Sequence, residues 1–155
     1  MKQTIIRMLL CAVVIFASLT ANAQVKAFEK YADMKGVSYV YISKYMLAMA
    51  GKNATPSIPK VDTQTLKNKL TGIQIIHSES KGMSKKLKDD VQAILAKDKY
   101  EVLMQMNEDD NKVNIFHSAG KKQSAVVMLV EEDHEATVMV FSGDFTVDDV
   151  MKMTQ

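Results

Sequence analysis

The sequence predicts an α+β fold: an open mixed sheet that ends in a four-strand antiparallel meander, with helices packed on one face. Three observations predict it. From Lys99 to Gly143 four short strand-like runs, the first two alternating apolar and polar, are separated by three polar turns. Ala125 to Val130 is apolar throughout, as suits a strand covered on both faces. Before Lys99, short β-rich runs alternate with stretches at helical spacing, which implies crossovers between the early strands.

The chain opens on a segment outside the fold. Lys2 and Arg7 precede an apolar run from Met8 to Leu19, and Ala21-Asn22-Ala23 has the small residues of a cleavage site. Residues 1–23 are read as a secretory signal peptide, which makes Gln24 the mature N-terminus. The apolar run is shorter than the roughly 20 residues a spanning helix needs. No later run is longer and as apolar, so no membrane span is expected after removal of the signal. Cys11 lies inside the apolar run and lacks the setting of a lipid-modified cysteine.

Residues 24–155 are then one α+β domain. Val25, Phe28, Tyr31 and Ala32 recur at helical spacing up to about Lys35, before Gly36. Val37 to Ile42 reads as a strand, with Tyr39 and Tyr41 on one face and Val40 and Ile42 on the other. Ser43 caps a short helix over residues 44–50. Gly51 to Val61 holds both prolines, Pro56 and Pro59, and reads as a loop. Asp62 starts a helix carrying Leu66 and Leu70 and closed by Gly72; Ile73, Ile75 and His77 then mark a strand. Ser84 is expected to cap the best helix, whose stripe is Leu87, Val91, Ile94 and Leu95, with Lys85, Lys86, Lys88 and Asp89 elsewhere. The meander follows: Tyr100, Val102, Met104 and Met106; then Val113, Ile115 and His117; then Ala125 to Val130; then Thr137 to Phe141. Thr146 with Asp149 opens a last helix, with Val147, Val150 and Met151 on one side.

Composition excludes several functions. Loss of Lys2 and Arg7 leaves 18 of the 20 bases against 18 acids, so the net charge falls from +2 to zero. Every remaining base is lysine, and tryptophan is absent. Arginine is the usual residue for bidentate grip on phosphate and for stacking on bases, so nucleic acid is not an expected partner. Cys11 leaves with the signal, so the mature domain has neither thiol chemistry nor a disulfide framework.

Motifs for chemistry are sparse. There is no Gly-x-Ser-x-Gly elbow and no phosphate-binding loop. Ser78-Glu79-Ser80-Lys81 matches Ser-x-x-Lys without its companion motifs. His77, His117 and His134 lack metal-ligand spacing and read as packed or hydrogen-bonded residues.

Two metal readings remain as candidates. Met46-x-x-Met49, Met104-x-Met106 and Met151-x-Met153 have spacings that suit thioether capture of a soft metal; against this, methionine also fills gaps in cores poor in aromatics. Met104 and Met106 share a strand face. The first meander turn carries Glu108, Asp109 and Asp110, and the third carries Glu131, Glu132, Asp133 and Glu135. An up-and-down meander gathers both at one end and sends Lys121 and Lys122 to the other. Solvated turns explain this pattern; a weak calcium site or a dock for a basic partner is the sharper alternative.

Several runs carry a family resemblance. They are Val37-Ser38-Tyr39-Val40-Tyr41-Ile42-Ser43 entering Lys44-Tyr45-Met46-Leu47, the strands Tyr100-Glu101-Val102-Leu103-Met104 and Val126-Val127-Met128-Leu129-Val130, and the ending Val140-Phe141-Ser142-Gly143-Asp144-Phe145. Together the chain resembles the small exported proteins of Bacteroides-like bacteria catalogued as domain of unknown function 4252. The resemblance covers nearly all of the mature chain. It implies export and a single domain, and it brings no catalytic residues, no cofactor and no established ligand.

The expectation is therefore an exported, periplasmic or extracellular, non-enzymatic domain that binds a protein or envelope partner. The alternative is a binder of a small ligand or soft metal.

Overall fold

The structure is a computed structural model that describes residues 23–50, 66, 68–119 and 124–152. The signal-type segment before Ala23, the Gly51–Val61 loop, the Asp62 cap and the Lys121–Lys122 turn lie outside the described residues.

In chain order the elements are α1 (Ala23–Glu29), β1 (Ser38–Ser43), α2 (Lys44–Met49), β2 (Leu70–Ser78), α3 (Lys81–Lys97), β3 (Glu101–Glu108), β4 (Asn111–Ala119), β5 (Ser124–Glu132), β6 (Glu135–Gly143) and α4 (Val147–Met151). The six strands form one open sheet in the order β1-β2-β6-β5-β4-β3. The α+β class and the meander from β3 to β6 are as the sequence predicts.

The sheet is antiparallel at every pairing rather than mixed. A crossover makes two strands run the same way, but it makes a parallel pair only when nothing separates them. Here α3 does connect two strands of like direction, β2 and β3. The meander then folds back, so that β6 lies beside β2 and β3 stands at the far edge.

Helices cover both faces, not one. Phe28, Tyr31, Leu87, Val91 and Leu95 from α1, the turn after it and α3 pack on Ile76, Val127, Leu129, Val138 and Val140. Leu47 of α2, Phe145 and Val150 of α4 pack with Leu66, Ile73, Ile115, Val126, Met128 and Phe141 on the opposite face. The reason lies in the two central strands. Val126 to Leu129 and Val138 to Phe141 are apolar at both parities, so each face of the sheet exposes apolar surface that needs cover.

Local chemistry explains most boundaries. The hairpins between β3 and β4 and between β5 and β6 have two-residue turns, set by the pairs Glu108↔Asn111 and Glu132↔Glu135. Asp109 and Asp133 hold the left-handed backbone such turns need, at φ 46° and 29°. Ser43 accepts the Met46 amide and caps α2. Thr146 and Asp149 form a reciprocal capping box on α4.

Other boundaries differ from the sequence reading. Helix α1 stops at Glu29, and Tyr31 is buried from the turn that follows. Leu70 and Gly72 belong to β2, not to a helix before it. Ser80, not Ser84, is the N-cap of α3; Ser84 is buried one turn inside, where its Oγ donates to the Ser78 carbonyl at 3.0 Å. In β3 a register shift between Val102 and Met104 leaves Leu103 unpaired. The bulge breaks simple alternation: Tyr100 packs toward α3, while Leu103 and Met104 pack on the opposite face. Among the described residues no helix is long and apolar enough to cross a membrane.

Candidate binding surfaces

Edge strands decide what a sheet of this kind offers to other chains, because their outer backbone groups are unpaired. The two edges here differ. On β3 the edge carries the Leu103 bulge and the exposed charges of Glu101 and Glu108. Strand β1 has neither protection. Ser38 to Ser43 contains no charge and no proline, and it pairs with β2 in unbroken register.

Helix α2 continues this uncharged surface. It has only six residues and buries only Leu47, so most of its apolar side chains have nowhere to go. Tyr45 is 82 % exposed and Met49 76 %, and Met46 is exposed beside them. The sequence reading placed Met46 and Met49 toward the core; Leu47 is the side chain that faces the sheet, and Met46 and Met49 lie about 100° and 160° around the helix from it, so they face outward. Five of the eight large apolar side chains exposed among the described residues fall between Val40 and Met49.

The face under α3 has a different feature. Six strands about 4.8 Å apart span about 24 Å, whereas a helix is about 10 Å across. Helix α3 packs over β2 and β6, and α1 and the turn after it add cover through Phe28 and Tyr31. The half toward β4 and β3 therefore keeps an open hollow of about 340 Å³. Leu95, Phe116 and Leu129 supply its apolar lining; Gln92, Gln105 and Asn114 add carboxamides. Tyr100 also lines it, and its Oη is buried with no hydrogen-bond partner among the described residues. Burial first, and then Asp98 nearby, push the Tyr100 phenol well above its ordinary value, so it stays a neutral donor.

A second groove, of about 470 Å³, runs between the start of α3 and the β5–β6 turn. Its lining mixes signs: Lys81, Lys85 and Lys88 face Glu131, Asp133 and Glu135. Lys88 Nζ closes on Glu131 at 2.9 Å.

The residues singled out in the sequence fall as follows. Register places Asn111 opposite Glu132, so the turn with Glu108, Asp109 and Asp110 does lie beside the turn with Glu131, Glu132, Asp133 and Glu135. Among the described residues, no three His, Cys, Asp or Glu side chains are grouped to hold a metal ion. Met104 and Met106 share a face, opposite Ile115 and Val113; Met104 is packed into the core and Met106 is half-buried. Met151 is exposed on α4, as is Val147, and only Val150 of that helix is buried. Met153 lies outside the described residues.

The Ser78 hydroxyl of the Ser-x-x-Lys run donates to the Gly36 carbonyl at 3.1 Å, and Lys81 is exposed at the start of α3. His77 and His117 lie on inner strands. His77 Nδ1 is 2.9 Å from Thr137 Oγ1. His117 is 4 % exposed, and its Nε2 lacks a partner among the described residues. His134 is exposed in the β5–β6 turn.

Sequence reasoning missed the hollow. Its one signal was polar: Gln105 and Asn114, paired across β3 and β4, stand on the face that Phe116 gives to the core under α3.

A family model described as a domain of unknown function (DUF4252) matches residues 31–153. No curated protein and no solved structure matches the chain.

Proposed function

The chain belongs to the DUF4252 family, and on that premise we propose that it is an exported, non-enzymatic domain that binds a protein partner at the β1–α2 edge of its sheet. The observation that carries this reading is the concentration of exposed apolar side chains between Val40 and Met49, on an edge strand without charge, proline or bulge. A partner that adds an extended, uncharged segment to β1 satisfies the outer backbone groups of that strand and covers Tyr41, Tyr45 and Met49. Aromatic and methionine side chains are the types enriched in such interfaces.

Export rests on Lys2, Arg7, the Met8–Leu19 run and Ala21-Asn22-Ala23. Expression in a bacterial host should release to the periplasm or medium a product whose mass begins at Gln24. A product retained in the cytoplasm with residues 1–23 attached would remove the export reading.

For the docking surface, a photo-crosslinking residue placed at Tyr45 should give a discrete adduct in envelope fractions. The same probe at Asp89 on α3 should not, and Met49→Glu should suppress the Tyr45 adduct. The reading is overturned if both positions give the same adducts, or if Tyr45 gives none.

A further inference from the structure

We propose that the hollow beside α3 is a binding site for a small neutral molecule that joins an apolar ring to an amide-like donor–acceptor edge. The site is separate from the β1–α2 edge, since α3, β3, β4 and β5 line it.

The lining excludes two broad classes. None of the described residues that line the hollow is charged, so an ionic ligand would shed hydration there with no countercharge in direct contact. A wholly apolar ligand would strip water from the carboxamides of Gln92, Gln105 and Asn114 and give them nothing. A neutral molecule with both characters meets neither penalty. Leu95 and Phe116 offer apolar surface to its ring. Gln105 and Asn114, directly opposite each other across β3 and β4, each present a donor beside an acceptor, which is the pattern an amide or lactam edge complements.

Tyr100 sharpens the inference. Its Oη is buried and has no partner among the described residues, although a buried hydroxyl ordinarily finds one. The phenol remains protonated, so it has a hydrogen to donate to an acceptor such as a carbonyl oxygen. A volume of about 340 Å³ suits a compact ligand, since small-molecule pockets start near 300 Å³.

The test uses three probes of one shape: benzamide, benzoate and benzylamine. Each is titrated into the full protein while backbone amide resonances are followed. Benzamide should shift residues 92–96, 100–105 and 114–116, and it should bind more tightly than either charged probe. Tyr100→Phe should weaken benzamide by about three- to tenfold, the range for one hydrogen bond, without lowering the melting temperature of the free protein. Asn114→Leu should also weaken it, while Met49→Glu should leave it unchanged. Equal binding of the three probes, shifts outside the hollow, no shift up to the solubility of benzamide, or full affinity in Tyr100→Phe would each overturn the proposal. Binding at the hollow with loss of the Tyr45 adduct, or the reverse, shows which of the two surfaces has been misread.

Discussion

The carbonyl oxygen of Lys69 occupies the space that a β-carbon at Gly143 would need. Leu70 pairs with Gly143, and the Lys69 carbonyl accepts the Asp144 amide at 2.9 Å, so the start of β2 closes directly over the end of β6. A methyl group there must push two backbones apart. Gly143→Ala should therefore cost about 1–3 kcal/mol or more. Gly82→Ala is the control: nothing lies within 4 Å of a β-carbon at that helical position. It should be neutral, or stabilise by up to about 1 kcal/mol through helix propensity. Urea midpoints measure both, and similar losses would contradict the close approach.

Lys69 also acts through its side chain. Its Nζ lies 2.7 Å from Asp149 Oδ2, which further accepts the Thr146 amide at 2.8 Å. The hydrogen bond from Lys69, and then those from Thr146, bring the Asp149 carboxyl from 3.8 down to about 2. A carboxyl lowered on folding contributes stability that is fully present above the unfolded value and is lost as pH falls through the folded one. The contribution should thus fade between pH 3.8 and about 2. Asp149→Asn should lower stability at neutral pH and flatten that acid limb; an unchanged acid limb in the variant would show that Asp149 does not drive it.

Element order was legible because periodicity survives in single runs such as Val113, Ile115 and His117, and because Ala125–Val130 is apolar without a break. Strand direction and helix placement were not, because they depend on which strands become neighbours. Nothing between Ser78 and Tyr100 signals that β6 will lie beside β2. The second face was legible in principle: Val126 to Leu129 is apolar at both parities, which already demands cover on two sides. The exposed edge was hidden by α2, since Met46 and Met49 follow the helical pattern of a buried stripe, but six residues bury only Leu47. The hollow follows from the width of the sheet against one long helix, which no local pattern records.

Helix α3 gives a prediction about burial. Leu95 is 5 % exposed and borders the hollow. Leu95→Ala should cost about 2–3 kcal/mol, the low end for such truncations, because water can reach part of the space left behind. The sequence reading treated Lys88 as a free surface residue. Its pairing with Glu131 from the neighbouring strand layer raises the expected cost of Lys88→Ala to about 0.5–1 kcal/mol, reduced by salt. A double-mutant cycle with Glu131→Gln isolates the pair, and a coupling of zero would show that it adds no stability.

The two acidic turns give a salt prediction. Glu108, Asp109 and Asp110 stand beside Glu132, Asp133 and Glu135, while Lys88 pairs with the adjoining Glu131. Crowded like charges at a solvated end are weakened by counterions. Sodium chloride should raise the melting temperature, and calcium at matched ionic strength should add nothing more. Asp109→Asn with Asp133→Asn should reduce the salt response and keep the turns, since asparagine also accepts the left-handed backbone of both positions. A calcium shift beyond that of matched salt, lost in the double variant, would restore a calcium site.

His117 carries the last prediction. It is buried on β4, its Nε2 has no partner among the described residues, and burial holds its imidazole below the ordinary value of 6.5. Glu101, its partner across β3, pulls the other way but does not overcome desolvation. A histidine lowered on folding is neutral in the native state and binds its proton more readily when unfolded. The unfolded state then holds more protons below pH 6.5, so stability is complete above that value and declines as pH falls through the folded one. Replacing the ring with an uncharged side chain removes this slope. Denaturation midpoints from pH 8 downward should fall for the wild-type protein through mildly acidic pH and stay flatter for His117→Gln. The absolute stability of His117→Gln tests packing, but the slope tests protonation alone, so a destabilised variant still decides the question. A wild-type slope preserved in His117→Gln would place the acid sensitivity elsewhere in the fold.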